Sequence, residues 1–96
     1  MQAFTFNQRV ENLFKSYFSR YENIIISSDE GQIKICSVDD QNPDSACLEL
    51  TKFDQYHQIT FWDGYSQSEI IKEFSERDSI KTLKRFMKKL LRIIES

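Results

Sequence analysis

Two segments with helical periodicity stand at opposite ends of this chain, and this order limits its fold more than any other feature. In the first segment, apolar side chains recur every three or four residues, at Phe6, Val10, Leu13, Phe14, Tyr17 and Phe18. That spacing predicts an amphipathic helix over residues 6–20, and Thr5 and Gln8 have the spacing of a capping box at its start. We interpret the aromatic stripe as core packing rather than as a ligand site.

The last segment predicts a second amphipathic helix, capped by Asp78 or Ser79. Its apolar stripe consists of Ile80, Leu83, Phe86, Met87, Leu90, Leu91 and Ile94. Basic side chains occupy the rest of its circumference: Lys81, Lys84, Arg85, Lys88, Lys89 and Arg92. A helix with one face committed to the core leaves such a basic face in solvent.

The middle of the chain reads as antiparallel strands separated by turns. We expect strands at residues 24–26, 32–38, 47–53 and 56–62, turns at 28–31, 54–55 and 63–64, and a longer loop over 39–45 that holds the only proline. The second strand carries apolar residues on both faces, which indicates either a bulge or a sheet covered on both sides. Residues 65–77 fit a helix or an edge strand, and the simpler connection favours a strand near 67–74.

These elements predict an α+β fold: an N-terminal helix, a four- to five-stranded antiparallel sheet and a C-terminal helix, with both helices packed on one sheet face. A chain of 96 residues forms one core, so we expect a single domain over residues 1–96. The first residues do not have the layout of a secretory signal, and no stretch is apolar enough for a membrane span. The sequence therefore predicts a cytoplasmic protein with no membrane partner.

Two cysteines, Cys36 and Cys47, are too few for a disulfide scaffold. In a cytoplasmic protein we expect them to be reduced and to pack as small apolar residues. A single cross-strand disulfide is the alternative.

Charge is sorted along the chain. Residues 1–21 carry a net charge of +2, residues 22–78 set thirteen acidic residues against four basic ones, and residues 79–96 set six basic residues against Glu95, within an overall charge of −2. An acidic middle is thus joined to a basic C-terminal segment, and either could meet a partner.

The side-chain inventory argues against an enzyme. His57 is the only histidine, neither cysteine lies in a nucleophile motif, and no glycine-rich phosphate loop occurs. The loop at 39–45 lacks the regular oxygen spacing and central glycine of a calcium site. We therefore predict no catalytic residue, no metal site and no cofactor.

The acidic middle instead predicts a surface for a basic protein, because exposed carboxylates steer such partners and aromatic side chains anchor an interface. Its candidate residues are Asp39, Asp40, Asp44, Asp54, Tyr56, Trp62, Asp63 and Tyr65. Trp62 lies on the more polar face of its strand, where we expect it to stand on a solvated surface. The carboxylates would pair with basic side chains while Trp62 or Tyr65 fills a central contact.

Two alternatives remain open. The six bases of the last helix could bind nucleic acid, although the acidic net charge and the missing recognition motif argue against direct binding. A secretion chaperone, which binds an extended client segment, is the other.

The run Ile59-Thr-Phe-Trp-Asp-Gly64, the segment ending near Phe74 and the helix Ser79-Ile-Lys-Thr-Leu…Phe86…Leu90-Leu91 resemble those of bacterial immunity proteins. These are the antitoxins of contact-dependent growth inhibition and related polymorphic toxin systems. The resemblance covers the second half of the chain and implies a protein that binds and inhibits a cognate toxin domain, often a nuclease. It carries over no binding residues.

Overall fold

The computed structural model describes residues 4–38 and 45–95. Along the chain the elements are α1 (Phe6–Phe18), β1 (Ile24–Asp29), β2 (Gln32–Ser37), β3 (Cys47–Lys52), β4 (His57–Trp62), β5 (Ser68–Glu73) and α2 (Glu76–Glu95). The strands form one antiparallel sheet in the order β1-β2-β3-β4-β5, so each strand pairs with its neighbour in sequence. The predicted α+β class and the fifth strand are confirmed.

Both helices pack on the same face of the sheet. Alternate residues of the strands point to that face, where Ile33, Ile35, Leu48, Leu50, Ile59 and Phe61 are buried. They meet Phe6, Val10 and Phe18 of α1 and Leu83, Phe86, Met87 and Leu90 of α2 in one apolar core. The six-residue strands keep a continuous register, which makes the bulge considered for β2 unnecessary.

Each helix begins at a capping residue. Thr5 accepts the N–H of Gln8, and the Gln8 side chain accepts the N–H of Thr5, which completes the predicted capping box. The helix α2 begins three to four residues earlier than predicted, because the Ser75 hydroxyl accepts the N–H of Asp78 at 3.1 Å and so caps the helix. Ser79, one of the two predicted caps, is instead buried within the helix.

The helices start at one end of the sheet and finish at the other. Near their starts, the Phe6 ring lies 4.9 Å from the His57 ring. Near their ends, the Tyr21 hydroxyl donates to the Glu95 carboxylate at 2.7 Å. The two helices therefore run side by side in the same direction along the sheet.

Cys36 and Cys47 form a disulfide, so the expected reduced pair is wrong and the alternative is correct. The two residues are direct neighbours across β2 and β3, with their Cα atoms 4.2 Å apart. The Ser37 N–H donates to the Ala46 carbonyl, which makes Cys36 and Cys47 a pair without mutual backbone hydrogen bonds. In such pairs the side chains are closest, and this brings the two sulfur atoms together.

Candidate functional site

The sheet face opposite the helices carries the remaining strand side chains. We call it the open sheet face; its residues are Ile25, Ser27, Asp29, Gln32, Lys34, Cys36, Cys47, Glu49, Thr51, Gln58, Thr60, Trp62, Ser68, Ile70 and Lys72. Among the charged members of this set, two are acidic and two are basic. The acidic character predicted for the middle of the chain therefore does not lie on the flat of the sheet.

Acidic residues gather instead at one end of the sheet. The β1–β2 and β3–β4 turns meet there, since the Lys52 N–H donates to the Gly31 carbonyl at 2.7 Å. The junction between β5 and α2 lies at the same end, because it follows Glu73, the last residue of β5, which pairs with His57 at the start of β4. We call this region the acidic end; its carboxylates are Asp29, Glu30, Asp54, Glu73, Glu76 and Asp78.

A row of three aromatic rings lies at the acidic end. The Phe53 and Tyr56 rings are stacked with their centroids 4.9 Å apart, and the Tyr56 and Phe74 rings are tilted with centroids 5.8 Å apart. The row continues the pairing of β3, β4 and β5 by one step, because the Phe53 N–H donates to the Tyr56 carbonyl at 2.9 Å. Phe74 is 74% exposed and Phe53 is 46% exposed. We call these three residues the aromatic row.

A shallow pocket opens beside the aromatic row, with a volume of about 180 Å³. Residues 53–57 form one side of it and residues 73–76 form the other. Its charged lining residues within the described chain are Asp54, Glu73 and Glu76. Glu73 also accepts a hydrogen bond from the Thr82 hydroxyl, which ties this wall to α2. We call this cavity the acidic pocket.

His57 lies at the base of the acidic pocket and contacts Ser79. Its Nδ1 atom is 2.8 Å from the Ser79 hydroxyl oxygen, and that hydroxyl donates to the Ser75 carbonyl at 2.8 Å. The serine proton is therefore engaged, so Nδ1 of His57 is the donor of the contact. Burial, and then the nearby Lys52 ammonium, lower the pKa of His57 below its ordinary 6.5. The arrangement holds the start of α2 against β4.

The opposite end of the sheet holds the loop between β4 and β5. One carboxylate oxygen of Asp63 accepts the N–H groups of Tyr65, Ser66 and Gln67 at 2.8, 2.9 and 3.0 Å. The bond from Gln67, followed by that from Tyr65, lowers the pKa of Asp63 below its ordinary 3.8. Asp63 thus folds the loop, while Tyr65 at its tip is 89% exposed.

The residues predicted to bind a partner therefore fall into two groups. Asp54 and Tyr56 lie at the acidic end, whereas Trp62, Asp63 and Tyr65 lie at the opposite end of β4. The rise per residue of a strand puts the two ends about 20 Å apart. Trp62 is half-buried beside the disulfide, because it pairs with Cys47. Asp39, Asp40 and Asp44 lie outside the described residues.

Four residues of the acidic end that line the acidic pocket are not among the predicted partner-binding residues: Phe53, Glu73, Phe74 and Glu76. Phe53 and Phe74 are spaced so that they share the open face with Thr51 and Lys72, and this alternation was the available signal. Glu76 lies in the first turn of α2, ahead of the predicted caps Asp78 and Ser79.

The basic side of α2 is partly engaged within the chain. The Glu69 carboxylate on β5 contacts Nη1 of Arg85 at 3.3 Å and Nζ of Lys89 at 3.2 Å. Lys81, Lys84, Lys88 and Arg92 lie on the exposed side of the helix.

Comparison with protein-family models, curated proteins and solved structures gave no match. Across residues 4–38 and 45–95, neither helix combines the length and apolar composition needed to cross a membrane. In the same residues, His, Cys, Asp and Glu side chains do not converge in groups of three or more as metal ligands would.

Proposed function

We propose that this protein is a non-catalytic immunity protein, which binds and inhibits a basic toxin domain through the acidic end and its aromatic row. The observation that carries the proposal is the combination of exposed aromatic rings with flanking carboxylates. Interfaces are anchored by aromatic side chains at their centre, and charged residues around them guide the encounter. The resemblance of the second half to immunity proteins supports the same conclusion.

The aromatic row supplies apolar area that folding leaves in solvent. Phe74 and Ile70 are 74% and 64% exposed and lie on the same side of the edge strand β5 and its continuation, with Lys72 between them. Full burial of a phenylalanine contributes about 1.5–3 kcal/mol, so the contact of one partner with Phe74 is worth roughly a ten- to hundredfold change in Kd. The contacting rings of the aromatic row form a contiguous apolar surface, and exposed surfaces of this kind mark protein interaction sites.

The carboxylates fit a basic partner rather than nucleic acid. Asp54, Glu76 and Asp78 are exposed at this end, where they repel phosphate and attract lysine and arginine. A nuclease domain presents such basic residues around the cleft that holds its substrate. Occupation of that cleft by the acidic end would block access of nucleic acid and so inhibit the toxin.

The test is co-expression with the secreted toxin domains encoded beside the gene of this protein, read as protection of growth and as binding of the purified proteins. We expect one toxin to be neutralised and to form a heterodimer whose association rate falls as salt rises. Phe74→Ala should weaken this complex about tenfold or more. Ile25→Ala is the matched control, because Ile25 is exposed on the open sheet face at the other corner.

A second candidate function is nucleic-acid binding by α2, favoured by the exposed stripe of Lys81, Lys84, Lys88 and Arg92. The double change Lys84→Glu and Lys88→Glu separates the two. It should leave toxin inhibition intact, whereas loss of nucleic-acid retention by this variant would favour the second function. Binding of unfolded toxin segments alone would instead indicate a secretion chaperone.

A further inference from the structure

The acidic pocket differs from its surroundings in the sign of its charge. Its described lining residues include three aromatic side chains and three carboxylates, and none of them is lysine or arginine. The cavity between β5 and α2 is different, because Asp63 and Glu69 are balanced there by Lys89 and Arg92. The acidic pocket therefore has the charge and the walls that suit a cation.

One cation of the chain already lies over an aromatic ring at this site. The Nζ atom of Lys72 is 5.1 Å from the centroid of the Tyr56 ring, within the range of cation–π attraction. Lys72 belongs to the open sheet face, whereas the pocket opens at the end of the strands. The contact shows that a ring of the aromatic row can lie beside a cation, and Lys72 itself is not one of the residues that line the pocket.

We propose that the acidic pocket receives the guanidinium of a single arginine side chain from the toxin domain, an inference that rests on the proposed function. A guanidinium is planar, stacks on aromatic faces and donates several hydrogen bonds, so it uses both the rings and the carboxylates. The ammonium group of lysine is a point charge without a flat surface, and we expect it to bind the acidic pocket more weakly than a guanidinium. Asp54 and Glu76 would accept the hydrogen bonds, while Tyr56 and Phe74 provide the aromatic walls.

The inference can be tested on the free protein with small probes. Amide chemical shifts of the isotope-labelled chain would be followed during titration with N-acetyl-arginine amide. N-acetyl-citrulline amide, a neutral probe of similar shape, and N-acetyl-lysine amide serve as comparisons. We expect arginine to shift residues 53–57 and 73–76 at millimolar concentration, lysine to act more weakly and citrulline to have no saturable effect.

Two variants test the assigned residues. Phe74→Ala removes an aromatic wall and Glu76→Gln removes a charge, and each should weaken arginine binding about two- to fivefold, the range for an exposed cation–π contact and for an exposed ion pair. Glu22→Gln is the matched control, since Glu22 is an exposed acid near the start of β1. Equal shifts by arginine and citrulline, or equal binding by the Glu76→Gln and Glu22→Gln variants, would overturn the inference.

The arginine assignment of the acidic pocket and the proposed immunity function can fail separately. If the protein neutralises a toxin but its pocket does not discriminate arginine from citrulline, the pocket assignment is wrong and the immunity function stands. If the pocket binds arginine but no neighbouring toxin is neutralised, the pocket assignment survives as a site for another arginine-bearing partner, and the immunity function is wrong.

Discussion

Gly64 is the position where a single methyl group should disturb this fold most clearly. Its φ of +84° lies in the left-handed region, and a Cβ added there would stand 2.7 Å from the backbone nitrogen of Ala46. Gly31 has nearly the same φ, +79°, but a Cβ there would meet nothing within 4 Å. Gly31→Ala therefore measures the backbone penalty alone, whereas Gly64→Ala adds a collision between the β4–β5 loop and the chain that leads into β3.

The two penalties have different sizes. A non-glycine residue in the left-handed region costs about 1–2 kcal/mol, which is the expected loss for Gly31→Ala. Forcing an extra methyl group into occupied space typically costs about 1–3 kcal/mol more, and the neighbour here is backbone that cannot rotate away. Gly64→Ala should thus lower the free energy of unfolding by about 2–5 kcal/mol.

Urea unfolding followed by far-ultraviolet circular dichroism measures both variants, with the slope of the transition checked for constancy. Equal destabilisation of the two variants, within about 0.5 kcal/mol, would refute the close approach of Gly64 to Ala46. Arginine binding by Gly64→Ala provides an internal control. The acidic pocket lies at the opposite end of β4, so this variant should bind the probe normally as long as it is folded.

Two further predictions concern the disulfide and pH. Cys36 and Cys47 are separated by 11 residues, and closing a ring of that size stabilises the fold by about 2.8 kcal/mol through chain entropy. A dithiol reductant should lower the unfolding midpoint of the native chain, while the Cys36→Ala, Cys47→Ala double variant, already lacking the bond, should not respond. The lowered pKa values of His57 and Asp63 mean that folding favours neutral imidazole and ionised carboxylate. Stability should therefore fall as pH drops below 6.5 and fall again below 3.8, and His57→Gln and Asp63→Asn should each remove one phase.

Most of the fold follows from local patterns. A stripe such as Val10, Leu13 and Phe14 has one geometric solution, an amphipathic helix, so the presence and orientation of both helices are predictable. The segment after Gly64 was ambiguous because Ile70, Ile71 and Phe74 satisfy both a helical and an alternating pattern. Pairing with β4 resolves it, since Ile71 completes the core row beside Ile59.

The start of α2 and the state of the cysteines depended on contacts that a sequence does not display. Ser75 and Ser79 are both suitable caps, and the choice between them follows from burial of Ser79 against His57. The disulfide depends on the register of β2 and β3, because a shift of one residue would no longer place Cys36 opposite Cys47. Compartment alone had favoured reduced thiols.

The candidate site was only half predictable for a related reason. Counting acids directs attention to carboxylates but does not distinguish Asp63, whose carboxylate accepts backbone hydrogen bonds within a loop, from Asp54, which lines a pocket. The sequence gives the sign of a side-chain charge. Whether that side chain can contact a partner depends on whether backbone N–H groups of the folded chain already bind it. The aromatic row is a second example, because its three residues form one surface only when β3, β4 and β5 pair.

Acidic and basic residues lie at different places along α2, and this separation affects the direction from which a charged partner would approach. The helix α2 begins at the acidic end with Glu76, Arg77 and Asp78, and six of its seven basic residues follow from Lys81 onward. A basic domain is therefore attracted to the start of α2 and repelled along the exposed side of its later turns. Glu69 reduces that repulsion on the side of β5 by engaging Arg85 and Lys89. For the basic partner proposed above, the charge asymmetry thus favours one docking orientation, in which the basic cleft of the partner would lie over the aromatic row and away from the basic side of α2.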